Sequence, residues 1–141
     1  MARKLLAFLC LAMIAAPAAA QRRPSPPVLS AIELARADFA AQSGGSIIYF
    51  SQGAYQPSVQ ARQVLVAQAR WIRQHPEVVV RIEGYADGGD TRDHALAVGA
   101  RRAQEVRNYL VTLGVPSTQV TTMSWGKEQP GPGRVATILV R

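Results

Sequence analysis

Cysteine is nearly absent from this chain. Cys10 is the only one, and it lies in the middle of the apolar run 5–16, directly after Leu9. A lipidated cysteine would sit behind a small residue at the end of such a run, so Cys10 reads as a filler of the run. With no other cysteine, disulfides and thiolate nucleophiles are excluded beyond that point. Histidine is scarce too. His75 and His94 fall on different elements with no companion at ligand spacing, so no metal site is expected, and no cofactor. Past residue 20 there is no apolar run long enough to cross a bilayer. Lysine is almost missing: Lys127 is the only one after Lys4, and arginine carries the positive charge.

Enzymatic machinery is equally thin. There is no serine at a strand-to-helix elbow and no Glu–His pairing. Asp87 and Asp90, three residues apart in a loop, are the nearest approach to a glycosidase carboxylate pair, and nothing else suggests a sugar-cleaving cleft in so small a domain. The glycines at 84, 88 and 89 precede a helix, but acids stand where a phosphate cradle wants a lysine. The sequence therefore predicts a protein that is not an enzyme.

What is present begins with a leader. Arg3 and Lys4 precede the apolar run, and Ala18-Ala19-Ala20 offers small residues for cleavage. Residues 1–20 read as a signal peptide, with Gln21 as the mature N-terminus, and so predict export. Removing Arg3 and Lys4 takes the formal charge from +7 to +5. Export argues against nucleic acid as the partner of this basic surface and fits anionic envelope polymers or a basic surface with no specific partner. Residues 21–29, with Pro24, Pro26 and Pro27, form a linker. Residues 30–45 hold a short helix capped by Ser30, with Ile32, Ala35 and Phe39 on one side and Leu34 at its margin. It is too short to stand alone and must dock on the remainder.

Residues 46–141 form the domain proper. Ile47 to Phe50 is β-branched and aromatic, hence a strand. Ser58 caps a helix reaching Gln74, with Ala61, Val64, Leu65 and Ile72 on one face. Trp71 reads as packing rather than binding. From Glu77 to Glu83 apolar residues alternate with polar ones, predicting a central strand with one buried face. The glycine-rich loop follows, and Asp90 or Thr91 caps a long helix with Leu96, Gly99, Ala103, Val106, Leu110 and Leu113 on its stripe. Gly114 and Pro116 end it. Two more strands, 120–125 and 135–140, close the chain around a Pro-Gly loop and are near enough in sequence for an antiparallel pair. The order β-α-β-α-β-β predicts an α+β sandwich, with two helices packed on one face of a mixed four-stranded sheet.

These residues carry a resemblance. Ile48-Tyr49-Phe50, Ala61-Arg62, the run Val80 to Asp87, Thr91-Arg92, Gly99-Ala100-Arg101-Arg102-Ala103, Tyr109-Leu110, Gly114-Val115-Pro116 and Ser124 to Glu128 together resemble the OmpA C-terminal domain family, in its peptidoglycan-associated lipoprotein branch. The resemblance implies a non-catalytic domain that binds peptidoglycan through the diaminopimelate of the stem peptide, tethering the envelope to the wall, in the periplasm or at the outer membrane. It implies Asp87 and Arg102 as the ligand contacts, with Phe50 and Gly88 as pocket walls. An acid and a guanidinium complement the ammonium and carboxylate at the free end of diaminopimelate.

The surrounding residues depart from the family pattern. Gly88-Gly89-Asp90 replaces Glu-Arg-Gly, His94-Ala95 replaces Tyr-Asn, and Ser51-Gln52-Gly53 replaces Asp-Phe-Asp. Pro130-Gly131-Pro132-Gly133-Arg134 compresses an acidic turn. Such changes alter the shell around the two charged anchors. They open a second reading, a domain of the same fold that engages envelope proteins instead of the wall.

Overall fold

The computed structural model describes residues 29–141. The expected leader and nearly all of the linker lie outside the described residues. The elements run α1 (Ala31–Ser43), β1 (Ile47–Tyr49), α2 (Val59–Gln74), β2 (Val80–Tyr85), α3 (Arg92–Thr112), a 3-10 turn (Ser117–Gln119), β3 (Val120–Gly126) and β4 (Arg134–Leu139). The caps are local chemistry. Ser30 and Glu33 form a reciprocal capping box on α1, Ser58 accepts from the Ala61 N–H, and Thr91 rather than Asp90 caps α3.

The sheet has the order β1-β4-β2-β3. β2 and β3 pair in parallel, while β4 runs antiparallel to both β1 and β2. The expected pairing of the last two strands is therefore not formed. β3 takes the far edge of β2 because α3 carries the chain across to a parallel position there. β4 instead fills the gap between β1 and β2, which run parallel to each other but are not neighbours. The Pro-Gly loop must consequently pass over the end of β2 to reach it.

One core lies between sheet and helices, built by Leu65, Ile72, Val80, Ile82, Val106 and Leu110, with Val135 and Leu139 from β4. α1 docks as a helix of its length must. Phe39 meets Trp71 edge-on at 5.2 Å, the Trp71 indole N–H donates to Asp38 at 2.7 Å, and Arg36 donates to the Leu139 carbonyl at 2.8 Å. Leu34, at the margin of its stripe, is exposed. On α3 the expected stripe is buried at Gly99, Ala103, Val106 and Leu110, and the buried face is wider than its sequence reading. Ala95, Val98 and Arg102 are buried, while Leu96 and Leu113 are half-buried.

β2 is buried on both faces rather than one. Glu83 and Tyr85 point away from the helices, yet both are nearly inaccessible. The cause is a polar network on the uncovered face. The Tyr85 hydroxyl, Arg81 Nε and Trp125 Nε1 donate to the Glu83 carboxylate at 2.8, 2.8 and 3.1 Å, and the Arg134 guanidinium lies 4.1 Å above the Tyr85 ring. Burial, reinforced by the Glu83 bond, pushes Tyr85 up to about 12, so it stays a donor. Burial also pushes Glu83 up, but its three donors outweigh this and hold it below the usual carboxylate range.

A carboxyl depressed by folding stabilises fully above its unfolded value, and that stabilisation is lost as pH falls through the lower folded value. Stability titrated from about pH 6 to about pH 2 should therefore fall at the acid end, and Glu83→Gln should flatten the fall. An identical profile in Glu83→Gln would show that the network does not couple to folding.

Candidate functional site

Three loops gather where β1, β2 and β3 end: residues 50–58, 86–91 and 127–133. The arrangement follows from the strand order, because β4 enters between β1 and β2 at this same end. Between the loops and the start of α3 lies an open cleft of about 320 Å³. Gln52, Tyr55, Asp87, Gly89 and His94 form its walls, and Arg102 its floor.

α3 can bring Arg102 here because it lies almost on the sheet. Gly84 and Gly99 face each other with no room for a side chain on either, and Ser124 Oγ bonds the Leu96 carbonyl at 2.7 Å. Arg102, one turn beyond Gly99, then passes beneath the loops. It has no accessible surface. Its Nε donates to the Ala54 carbonyl at 2.8 Å and its Nη1 to the Tyr85 carbonyl at 3.0 Å. Nη2 makes the two longest bonds, to the Ser51 carbonyl at 3.3 Å and to Asp87 Oδ2 at 3.2 Å. The planar fork thus ties the 50–58 loop to the end of β2.

Asp87 is the accessible member of the pair, with a third of its side chain exposed. Its Oδ1 accepts the Gly133 N–H at 2.8 Å. Partial burial pushes its carboxyl up, but the Gly133 N–H and the Arg102 guanidinium outweigh this and hold it below the usual carboxylate range. The site therefore holds an ionised carboxylate with free lone pairs facing a cleft, fixed from behind by one backbone donor and one guanidinium.

Gly133 is the residue that sequence reasoning missed. A Cβ there would overlap Arg102 Nη1 and stand 2.8 Å from its Cζ and 3.0 Å from Asp87 Oδ2. Its carbonyl accepts the Phe50 N–H at 3.0 Å. The Pro-Gly loop is thus the third support of the acid. The signal was a glycine directly before the final strand, legible only once β4 is known to lie beside β2. Phe50 and Gly88 sit away from the cleft walls. The Phe50 ring lies beneath Arg102, 5.2 Å from Cζ, and Gly88 is exposed at the loop tip while Gly89 lines the cleft. At the rim, His94 Nε2 is 3.5 Å from Asp90, and Arg101 stacks 4.2 Å over Tyr55. Among the described residues no three His, Cys, Asp or Glu side chains gather as a metal site.

The comparisons with known proteins bear on the same span. A family model described as the OmpA family matches residues 49–134. The peptidoglycan-associated lipoproteins of Agrobacterium fabrum and Rhizobium meliloti are 40% and 42% identical over 86 residues, covering 61% of this chain and 49% of each relative. This chain therefore spans about half the length of the curated relatives it matches. The crystal structure of the peptidoglycan-associated lipoprotein from Burkholderia pseudomallei superposes with a TM-score of 0.66 at 29% identity, covering 69% of this chain and 92% of that one. The C-terminal domain of Helicobacter pylori MotB shares the fold, with a TM-score of 0.60 at 18% identity over 66% of this chain and 81% of that one.

Proposed function

This chain belongs to the OmpA family, and on that premise we propose that its domain binds peptidoglycan without cutting it and so tethers the cell envelope to the wall. The observation that carries the proposal is the Asp87 carboxylate, ionised and open to a cleft while Arg102 and Gly133 hold it from behind. In this reading the ligand is the diaminopimelate of the stem peptide. Its side-chain ammonium takes the free lone pairs of Asp87. Its carboxylate accepts from Arg102 Nη2, whose two bonds are the longest the guanidinium makes and the first to exchange. Phe50 supports the guanidinium from below, and Gly88 leaves the loop tip unobstructed. A leader at residues 1–20 and a linker at 21–29 complete the proposal, with the mature chain periplasmic and held near the outer membrane. No described helix is long and apolar enough to cross a membrane.

The test is co-sedimentation of the chain from Gln21 with purified peptidoglycan. Wild type should pellet with the diaminopimelate type. It should pellet at least tenfold less with the lysine type, which lacks the side-chain carboxylate and its charge-assisted bond. Asp87→Asn should stay in solution while losing less stability than Arg102→Ala, because its amide oxygen can still accept the Gly133 N–H and the guanidinium keeps its three carbonyls. Equal pelleting with both wall types would sink diaminopimelate as the ligand and leave wall binding standing. No pelleting with either would sink wall binding, and the fold would then serve contacts with envelope proteins.

A further inference from the structure

Of the three α-helices described, α2 alone carries no Asp or Glu. Val59, Arg62, Val66, Arg70 and Arg73 follow at spacings of three, four, four and three, so they share one outward stripe. All five are exposed, with Val59 and Val66 at 67% and 38%. The stripe is about 21 Å long at the rise of an α-helix. Gln63 and Gln74 flank it.

Several arginines elsewhere are engaged by acids or backbone carbonyls. Arg36 and Arg107 donate to backbone carbonyls, Arg81 pairs with Glu83, and Arg92 pairs with Glu128. Arg62, Arg70 and Arg73 form no ion pair among the described residues. The first stands 6.0 Å over the Tyr109 ring, and the guanidinium end of Arg73 lies beside Gly114. Both contacts are with α3 and its end. They hold the side chains along the helix surface and leave the guanidiniums without a counter-charge.

We propose that the outer face of α2 docks on anionic lipid headgroups at a membrane surface. The guanidinium is suited to phosphate, which it grips with two parallel bonds. Charge alone would also fit an anionic polymer of the wall. The valines decide between them: a hydrated polymer offers nothing to Val59 and Val66, whereas a bilayer has apolar chains just below its phosphates. The stripe is also the convex side of a helix, which meets a plane. It shares no residue with the lining of the cleft.

The chain from Gln21 retains every described element, and its binding is read by flotation with phosphatidylcholine vesicles with and without phosphatidylglycerol, at low salt. Wild type should float with the anionic vesicles only, and high salt should release it. The variant Arg62→Gln/Arg70→Gln/Arg73→Gln, confirmed folded by circular dichroism, should lose roughly 100-fold in partition, about fivefold per arginine. Val59→Ser/Val66→Ser, with its charge intact, should lose severalfold. Asp87→Asn should float as wild type. The charge-matched control Arg92→Gln/Arg101→Gln/Arg141→Gln should also keep most of its binding. The proposal is overturned if wild type does not float, or if the control loses as much as the α2 variant. It is equally overturned if the valine variant is unaffected, which would make the partner a charged polymer.

Discussion

Arg102→Ala is expected to destabilise the domain by about 3–5 kcal/mol, a large part of the total for a chain this size. The arginine is fully buried, so the loss is not screened by solvent. Three carbonyls, of Ser51, Ala54 and Tyr85, would lose their donor, and Asp87 would lose its counter-charge. Buried acceptors left unmatched cost more than the bonds that matched them contributed. Arg102→Lys should recover only part of the loss, because one ammonium cannot reach acceptors arranged around a planar fork. Urea unfolding measures both. A loss under about 1 kcal/mol in Arg102→Ala would mean that water satisfies the loop carbonyls and that the guanidinium does not organise them. Wall binding should vanish in Arg102→Ala together with stability, whereas Asp87→Asn separates the two. That contrast would tell the support Arg102 gives the loops apart from the ligand contact proposed for Asp87.

Gly84→Ala is expected to be as severe, by about 3 kcal/mol or more, for a steric reason. A Cβ on Gly84 would fall inside the Gly99 carbonyl and stand 2.6 Å from its carbon. Both atoms are backbone, so no rotamer can yield, and α3 would have to move away from β2. That movement would carry Arg102, three residues beyond Gly99, away from its carbonyls, so wall binding should fall with stability. Gly88→Ala is the control, since a Cβ there meets nothing within 4 Å. It should stay within about 0.5 kcal/mol of wild type. If Gly84→Ala unfolds in urea close to wild type, the close approach of helix and strand is not what sets the position of α3.

The helices and strands were largely legible because they rest on local patterns. Ser30 and Ser58 cap the helices they were expected to cap, and Gly114-Val115-Pro116 ends α3 where expected. Asp87 was singled out by its place in the loop after β2. The arginine pair 101–102 stood out beside the loop acid, the resemblance chose Arg102 of the two, and nothing in its own pattern told of burial. Positions 95, 98, 102 and 106 lie on one face of α3, and a charged residue among apolar ones there reads as an interruption of the stripe. Burial becomes possible only because three backbone carbonyls, two from one distant loop and one from the end of β2, point at the guanidinium. Glu83 is a parallel case. Alternation put it on the exposed face of β2, and donors from β2 and β3 closed over it.

By itself the sequence determined the α+β class, the order of elements, the identity of the acid and the acid-free outer face of α2. Each of these depends on residues within a few turns of one another. The tertiary structure decided where the last strand goes. Periodicity states which face of a strand is apolar, but not which neighbour offers the unpaired hydrogen-bonding edge. With α3 carrying β3 to the far side of β2, the open edges lay between β1 and β2, and β4 paired with both. That insertion brings Gly133 against Asp87 from 46 residues away, and with Arg102 it turns a loop acid into a fixed one.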